Sequence, residues 1–154
     1  PVEQAWLFEP EIPAYYEALK YYAKRAEIWL FNMGLDEKPS RAPYHPCLSY
    51  DVTNEMQRNI PTDITSYIQG IPLDGISPFN VTLFKLDIEG MESRALRGAK
   101  EMIAHDKPVI AVCAYHRAND YWQLIDEVLS IRPDYRIGIR LYADILEDVT
   151  LYFH

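Results

Sequence analysis

Four side chains stand where apolar runs stop and could do chemistry: Glu9, Asp87, Glu89 and His116. The densest group lies in FKLDIEGMESRALRGAK (Phe84 to Lys100), where an apolar run ends in Asp-x-Glu-Gly and a charged helical pattern follows. A helix N-terminus needs one acid as a cap, so the second acid raises the question of a site. Asp87 can be read as that cap, Glu89 as a favourable charge at the helix dipole, and Gly90 as the residue that permits the turn. Equally, the two carboxylates can orient a ligand or move a proton. His116 follows Tyr115 at the end of another apolar run, either as a satisfied loop histidine or as a base. Imidazole suits the second role because its ordinary titration lies near neutral pH. Glu9 is either a surface residue ahead of Pro10 or a carboxylate for both hydroxyls of a ribose, the role of acids at βα turns in nucleotide-binding sheets. Two acids and one histidine at these spacings are weak support for Mg²⁺, so no metal is expected.

The elements that must position these groups can be read from periodicity. Ala5–Phe8 and Ile28–Asn32 are short apolar strands, with a helix from Pro13 to Ala26 between them and Tyr15, Leu19, Tyr22 and Ala26 on one face. From Asp36 to Thr65 prolines interrupt every pattern, which predicts a long loop with one short helix near Thr53–Arg58. Ser66–Ile71 is extended and leads to Leu73-Asp74. Val81–Leu86 is the strand ahead of Asp87, and the helix after it runs from Glu92 to His105 with Leu96, Ala99 and Ile103 inward. Val109–Tyr115 is apolar throughout, as in a parallel strand buried on both faces. Tyr121–Ile131 is a helix, and Tyr135–Leu141 and Val149–Phe153 are closing strands. Alternation of strand and helix predicts one α/β domain over residues 1–154 with a mainly parallel sheet. Ligands of such sheets bind beyond the carboxyl ends of the strands, where Glu9, Asp87, Glu89 and His116 would converge.

Several function classes lose support. A formal net charge of −8 disfavours nucleic acid and anionic membranes, and no apolar run is long enough to span a bilayer. Cys47 and Cys113 lack a His/Cys cluster for zinc, and read as reduced thiols in a cytoplasmic setting. No glycine-rich phosphate loop, Gly-x-Ser-x-Gly elbow or His-Glu-x-x-His pair occurs. A phosphate-binding, nucleotide-dependent enzyme is therefore disfavoured. The twelve tyrosines read as amphipathic core filler, Tyr15, Tyr22, Tyr121, Tyr135 and Tyr152 among them.

FKLDIEGMESRALRGAK followed by KPVIAVCAYH (Lys107 to His116) resembles the signature of the FkbM-type S-adenosylmethionine-dependent methyltransferases. Trp6-Leu-Phe-Glu-Pro10 is similar to the family's Phe-Glu-Pro segment, and Pro72-Leu-Asp74 to its Leu-Asp element. The resemblance extends from Trp6 to Phe153. It implies a Rossmann-like class I methyltransferase sheet in the order 3-2-1-4-5-7-6, with strand 7, the C-terminal strand, antiparallel. It also implies S-adenosylmethionine as cofactor and O-methylation of a small-molecule hydroxyl, on a sugar or natural product. Carried over residue by residue, Glu9, Pro10, Asn32, Gly34, Leu35 and Asp87 would border the cofactor. His116, Asp87 and Glu89 would border the transfer site, with His116 first choice as general base and Asp87 second.

One departure from the family pattern matters. Its first strand and a glycine-rich turn precede Phe-Glu-Pro, whereas only Pro1 to Ala5 stand before Trp6 here. The expectation is an N-terminally truncated domain lacking the strand between the Glu9 and Asp87 strands, with an oligomer as one way to cover the exposed edges. The alternative is a non-catalytic binding or interaction domain on the same scaffold, in which those two strands pair directly and cofactor binding is lost.

Overall fold

The computed structural model describes residues 2–44, 66–76, 80–142 and 149–154. The expected helix at Thr53–Arg58 and Cys47 therefore lie outside the described residues.

The chain starts with β1 (Ala5–Phe8), α1 (Ile12–Tyr22) and β2 (Ile28–Phe31). The two strands pair in parallel, Ala5 opposite Ile28 and Phe8 opposite Phe31, with α1 as the crossover. Pro13 sits in the first turn of the helix, where a missing N–H leaves no bond unmade. The helix stops before Ala26 because the chain must turn to bring Ile28 alongside Ala5. No residue of α1 is buried, and Tyr16, Tyr21 and Tyr22 are exposed. The tyrosines of this helix are thus not core filler. Tyr135 is: it is buried and its hydroxyl donates to the Pro108 carbonyl at 2.7 Å.

A second, three-stranded sheet holds β3 (Gly34–Leu35), β4 (Ser40–Tyr44) and β5 (Ser66–Ile71) in the order β3-β5-β4. Strand β4 falls within the stretch expected to be a loop. Its Pro43 is tolerated because β4 is an edge strand, whose outward N–H groups need no ladder partner.

The main sheet holds β6 (Leu83–Leu86), β7 (Val109–Cys113), β8 (Ile137–Leu141) and β9 (Val149–Phe153) in the order β6-β7-β9-β8. β6 and β7 are parallel, while β9 runs antiparallel to both β7 and β8. Among the described residues three strand pairings are parallel and three antiparallel, so the architecture is mixed α/β rather than mainly parallel. The antiparallel share comes from β4 folding back on β5 and from the C-terminal pair β8 and β9. Among the described residues β1 pairs only with β2 and β6 only with β7, so the Glu9 and Asp87 strands are not joined directly.

Helices α2 (Glu92–Arg97), α3 (Lys100–Asp106) and α4 (Asp120–Ile131) cover the main sheet. Leu96, Ile103, Ile110, Val112, Leu124, Val128, Leu151 and Phe153 are fully buried between these layers. The helix expected over Glu92–His105 is two helices. A Cβ at Gly98 would lie 2.0 Å from the Asp36 carbonyl oxygen, so only glycine lets the end of β3 approach here. Asp74 then caps α3: its Oδ2 accepts the Glu101 N–H and its Oδ1 the Met102 N–H, both at 2.9 Å. Among the described residues no helix is long and apolar enough to cross a membrane.

Candidate functional site

The turn from β6 into α2 carries the acids. Glu89 has φ 57° and Gly90 φ 87°, two successive left-handed residues. Glycine takes that region freely, whereas glutamate is strained there. The turn folds back so tightly that the Ile88 N–H reaches the side chain of Glu92 in the first turn of α2, donating to Oε1 at 2.9 Å. Glu92 therefore braces the turn from inside, while no side chain caps α2, so Asp87 does not act as the helix cap it can be read as. The helix N-cap, Met91, offers no side-chain bond of its own.

Asp87 and Glu89 turn toward the end of β7. There His116 has a side chain only 6% exposed, ringed by carboxylates: Asp87 Oδ1 at 3.6 Å and Glu92 Oε1 at 3.5 Å from its Nε2, and Glu89 Oε2 at 3.6 Å from its Nδ1. These separations exceed normal hydrogen bonds, as is common before a ligand tightens a site. His116 Nε2 and Glu92 Oε2 are both buried without a hydrogen-bond partner. The Tyr115 ring lies over the imidazole with centroids 4.1 Å apart, and its hydroxyl donates to Asp87 Oδ1 at 3.2 Å.

The environment sorts the neighbours by protonation state. Burial raises the Asp87 carboxyl, but the Cys113 thiol, the Lys85 charge and the Tyr115 hydroxyl outweigh it and hold Asp87 below its usual value. Burial, then the Asp87 charge, pushes Tyr115 up to about 12 and Cys113 up to about 11. Both stay protonated at neutral pH and neither is a base. Burial raises Glu92 above the ordinary glutamate value, against the pull of the Ile88 and Glu92 N–H groups and of positive charge on His116, and Asp120 adds to the rise. Among the described residues no group of three or more His, Cys, Asp or Glu could hold a metal ion.

The second set of sequence-selected residues gathers at the carboxyl ends of β1 and β2. Glu9 Oε1 accepts the Glu11 N–H at 2.8 Å, so one carboxylate oxygen braces the entry to α1. The Asn32 carboxamide donates to the Glu9 and Pro10 carbonyls at 3.0 and 3.2 Å, which clamps the two strand ends together. Gly34 adjoins Pro10, since a Cβ there would lie 3.8 Å from its ring. The Leu35 side chain is buried in the main core, so it offers a ligand only backbone. Asp87 stands with His116 and Glu89.

Glu92 was missed from the sequence, although a signal existed. It lies on the apolar stripe of Leu96, Ala99 and Ile103, where a charged side chain must be buried or the helix must turn. The structure buries it, at 1% exposure.

The sequence model of the methyltransferase FkbM domain matches residues 8–137. The crystal structure of methyltransferase FkbM from Methylobacillus flagellatus KT, at 32% identity and a TM-score of 0.76, aligns with 99% of this chain. The match takes in 36% of that protein, so the chain spans little more than a third of its length. No curated protein matches the chain.

Proposed function

We propose, from the premise that the chain belongs to the FkbM methyltransferase family, that it forms the site of an S-adenosylmethionine-dependent O-methyltransferase. Its acceptor is a hydroxyl on a small molecule such as a sugar or natural product. The observation that carries the reading is the buried His116 beside Asp87, Glu89 and Glu92 at the carboxyl ends of β6 and β7. The strand orders β1-β2 and β6-β7-β9-β8 support a Rossmann-like sheet, because they reproduce segments 2-3 and 4-5-7-6 of the expected order, antiparallel strand included. A non-catalytic interaction domain is not favoured by the family. A free buried thiol at Cys113 is compatible with a cytoplasmic setting.

The residues present fit the cofactor in part. Glu9 has a second carboxylate oxygen for a ribose hydroxyl, while Asn32 is committed to backbone carbonyls and acts by holding the two strand ends. Acidic rims and a net charge of −8 suit a cationic sulfonium better than a phosphate-bearing ligand. Bound S-adenosylmethionine supplies an electrophilic methyl carbon. This chain's own task is to align the acceptor oxygen and receive its proton. Alignment can contribute on the order of 7–11 kcal/mol to such a barrier, and a positioned base a further factor of about 10²–10⁴. His116 is the base, Asp87 its charged neighbour, and Glu89 the exposed carboxylate nearest the acceptor side.

Titration calorimetry of S-adenosylhomocysteine into the full-length protein tests the cofactor assignment. Saturable binding that weakens in Glu9→Ala and persists in His116→Ala is the expected result. Absence of binding by a folded protein overturns it.

A further inference from the structure

Two buried groups at this site lack hydrogen-bond partners, and they belong to residues that face each other. His116 Nε2 and Glu92 Oε2 are both out of contact with water, and Nε2 lies 3.5 Å from Glu92 Oε1. An unsatisfied buried polar group pays its full desolvation penalty, more when charged. Leaving two of them side by side is expensive unless they share a proton. The other carboxylate in reach of Nε2 is Asp87, and it already has Tyr115 and Lys85 as partners.

We infer, resting on the methyl-transfer reading above, that Glu92 is a positioning residue: its buried carboxylate receives the Nε2–H of His116 and leaves Nδ1 as the nitrogen that takes the acceptor's proton. Three observations beyond the orphaned pair converge on this. Glu92 is held from behind, since Oε1 is pinned by the Ile88 N–H at 2.9 Å, so the carboxylate is a fixed reference for the ring. The two ring nitrogens see unlike surroundings. Nε2 faces Glu92, whose side chain is 1% exposed, and Asp87, 40% exposed, while Nδ1 faces the more open Glu89, 60% exposed. The Nδ1 side is thus the more open to an acceptor. Finally, the charged and titratable groups around the ring are Asp87, Glu89 and Glu92, with Tyr115 across its face, Lys85 beside Asp87 and Asp120 acting on Glu92. Negative charge predominates around the ring.

The proton balance is simple. The acceptor O–H bond breaks with its electron pair left on oxygen for the new bond to carbon, and the proton goes to Nδ1. The Nε2–H stays on the Glu92 side throughout, so the ring neither flips nor changes tautomer between turnovers.

The test is the nitrogen NMR signature of His116 in the ¹⁵N-labelled full-length protein, read at a pH where the ring is neutral. Proton on Nε2 with Nδ1 bare is expected in the wild type. In Glu92→Gln, which keeps an acceptor for the Ile88 N–H and hence the turn, a mixture of both tautomers is expected. Asp87→Asn should leave the wild-type signature in place. Proton on Nδ1 in the wild type, or an unchanged signature in Glu92→Gln, overturns the inference. The measurement needs neither cofactor nor acceptor, so it separates the two claims. A protein with the Nε2–H tautomer but no affinity for S-adenosylhomocysteine would retain Glu92 as the orienting group and lose methyl transfer. One that binds S-adenosylhomocysteine with the proton on Nδ1 would do the reverse.

Discussion

At the scale of single residues, Glu92 works against stability and for geometry. Its carboxyl is raised by burial above the ordinary value of 4.5. A carboxyl whose native pKa lies above its unfolded value binds its proton more tightly in the folded chain. The resulting stability is fully present below 4.5 and is lost as pH rises through the native value. Glu92→Gln removes the ionisation and keeps the acceptor for the Ile88 N–H. Melting curves of the two proteins should therefore coincide at low pH and separate above 4.5, with the glutamine variant the more stable at neutral pH. A wild type that stays the more stable at neutral pH would show that the carboxylate is well compensated. His116→Ala makes the complementary point: it should remove about 10²–10⁴-fold of kcat/KM and leave S-adenosylhomocysteine affinity unchanged. A loss confined to KM would make His116 a binding residue.

At the scale of elements, the end of β3 and the end of α2 are locked to each other. Asp36, 2% exposed, accepts a bidentate pair from Arg94 at 2.7 and 2.8 Å and a further bond from Ser40 at 2.5 Å, while Gly98 lets its backbone pass. Burial alone would raise the Asp36 carboxyl, but Arg94, Ser40 and the Glu37 N–H lower it instead. Its stability is therefore present at neutral pH and lost on acidification below 3.8. Arg94→Met leaves that carboxylate with only Ser40 and the Glu37 N–H and should cost about 1–3 kcal/mol in chemical denaturation. Gly98→Ala should also destabilise, by about 1–3 kcal/mol or more, since backbone rather than a yielding side chain occupies the space. Asp74→Ala, which uncaps α3, should cost about 1 kcal/mol. None of these contacts was legible in the sequence, where Asp36 opened an apparent loop and Gly98 sat inside a helical period. The strands and helices themselves were legible, because runs such as VIAVC and the Leu96, Ala99 and Ile103 spacing report local burial. What periodicity cannot report is contact between distant segments. That is why β4 was hidden by its proline, why one helix became two, and why the brace from Glu92 to the Ile88 N–H went unseen.

At the scale of the molecule, stability is uneven. The main sheet has fully buried residues on β6, β7 and β9, whereas β1 is only half-buried along its length and α1 buries nothing. Among the described residues β1 and β2 pair only with each other, and Phe8 is the β1 residue that packs against the main core. The stacked rings of Trp6, Phe8, Trp29 and Phe31 hold β1 and β2 to each other more than to the rest. Local opening should thus begin here. Hydrogen exchange is expected to label Trp6–Phe8 and Ile28–Phe31 well before Ile110–Cys113 and Thr150–Phe153. The distribution matters for function because Glu9 and Asn32 sit at the ends of the two weak strands, while His116 and Glu92 are anchored on the strong sheet. A ligand that binds only the closed arrangement stabilises it by mass action. If the cofactor engages Glu9, S-adenosylhomocysteine must slow exchange in β1 and β2 while β7 and β9 change little. Binding that protects only the end of β7 would place the cofactor against His116 and sever it from Glu9.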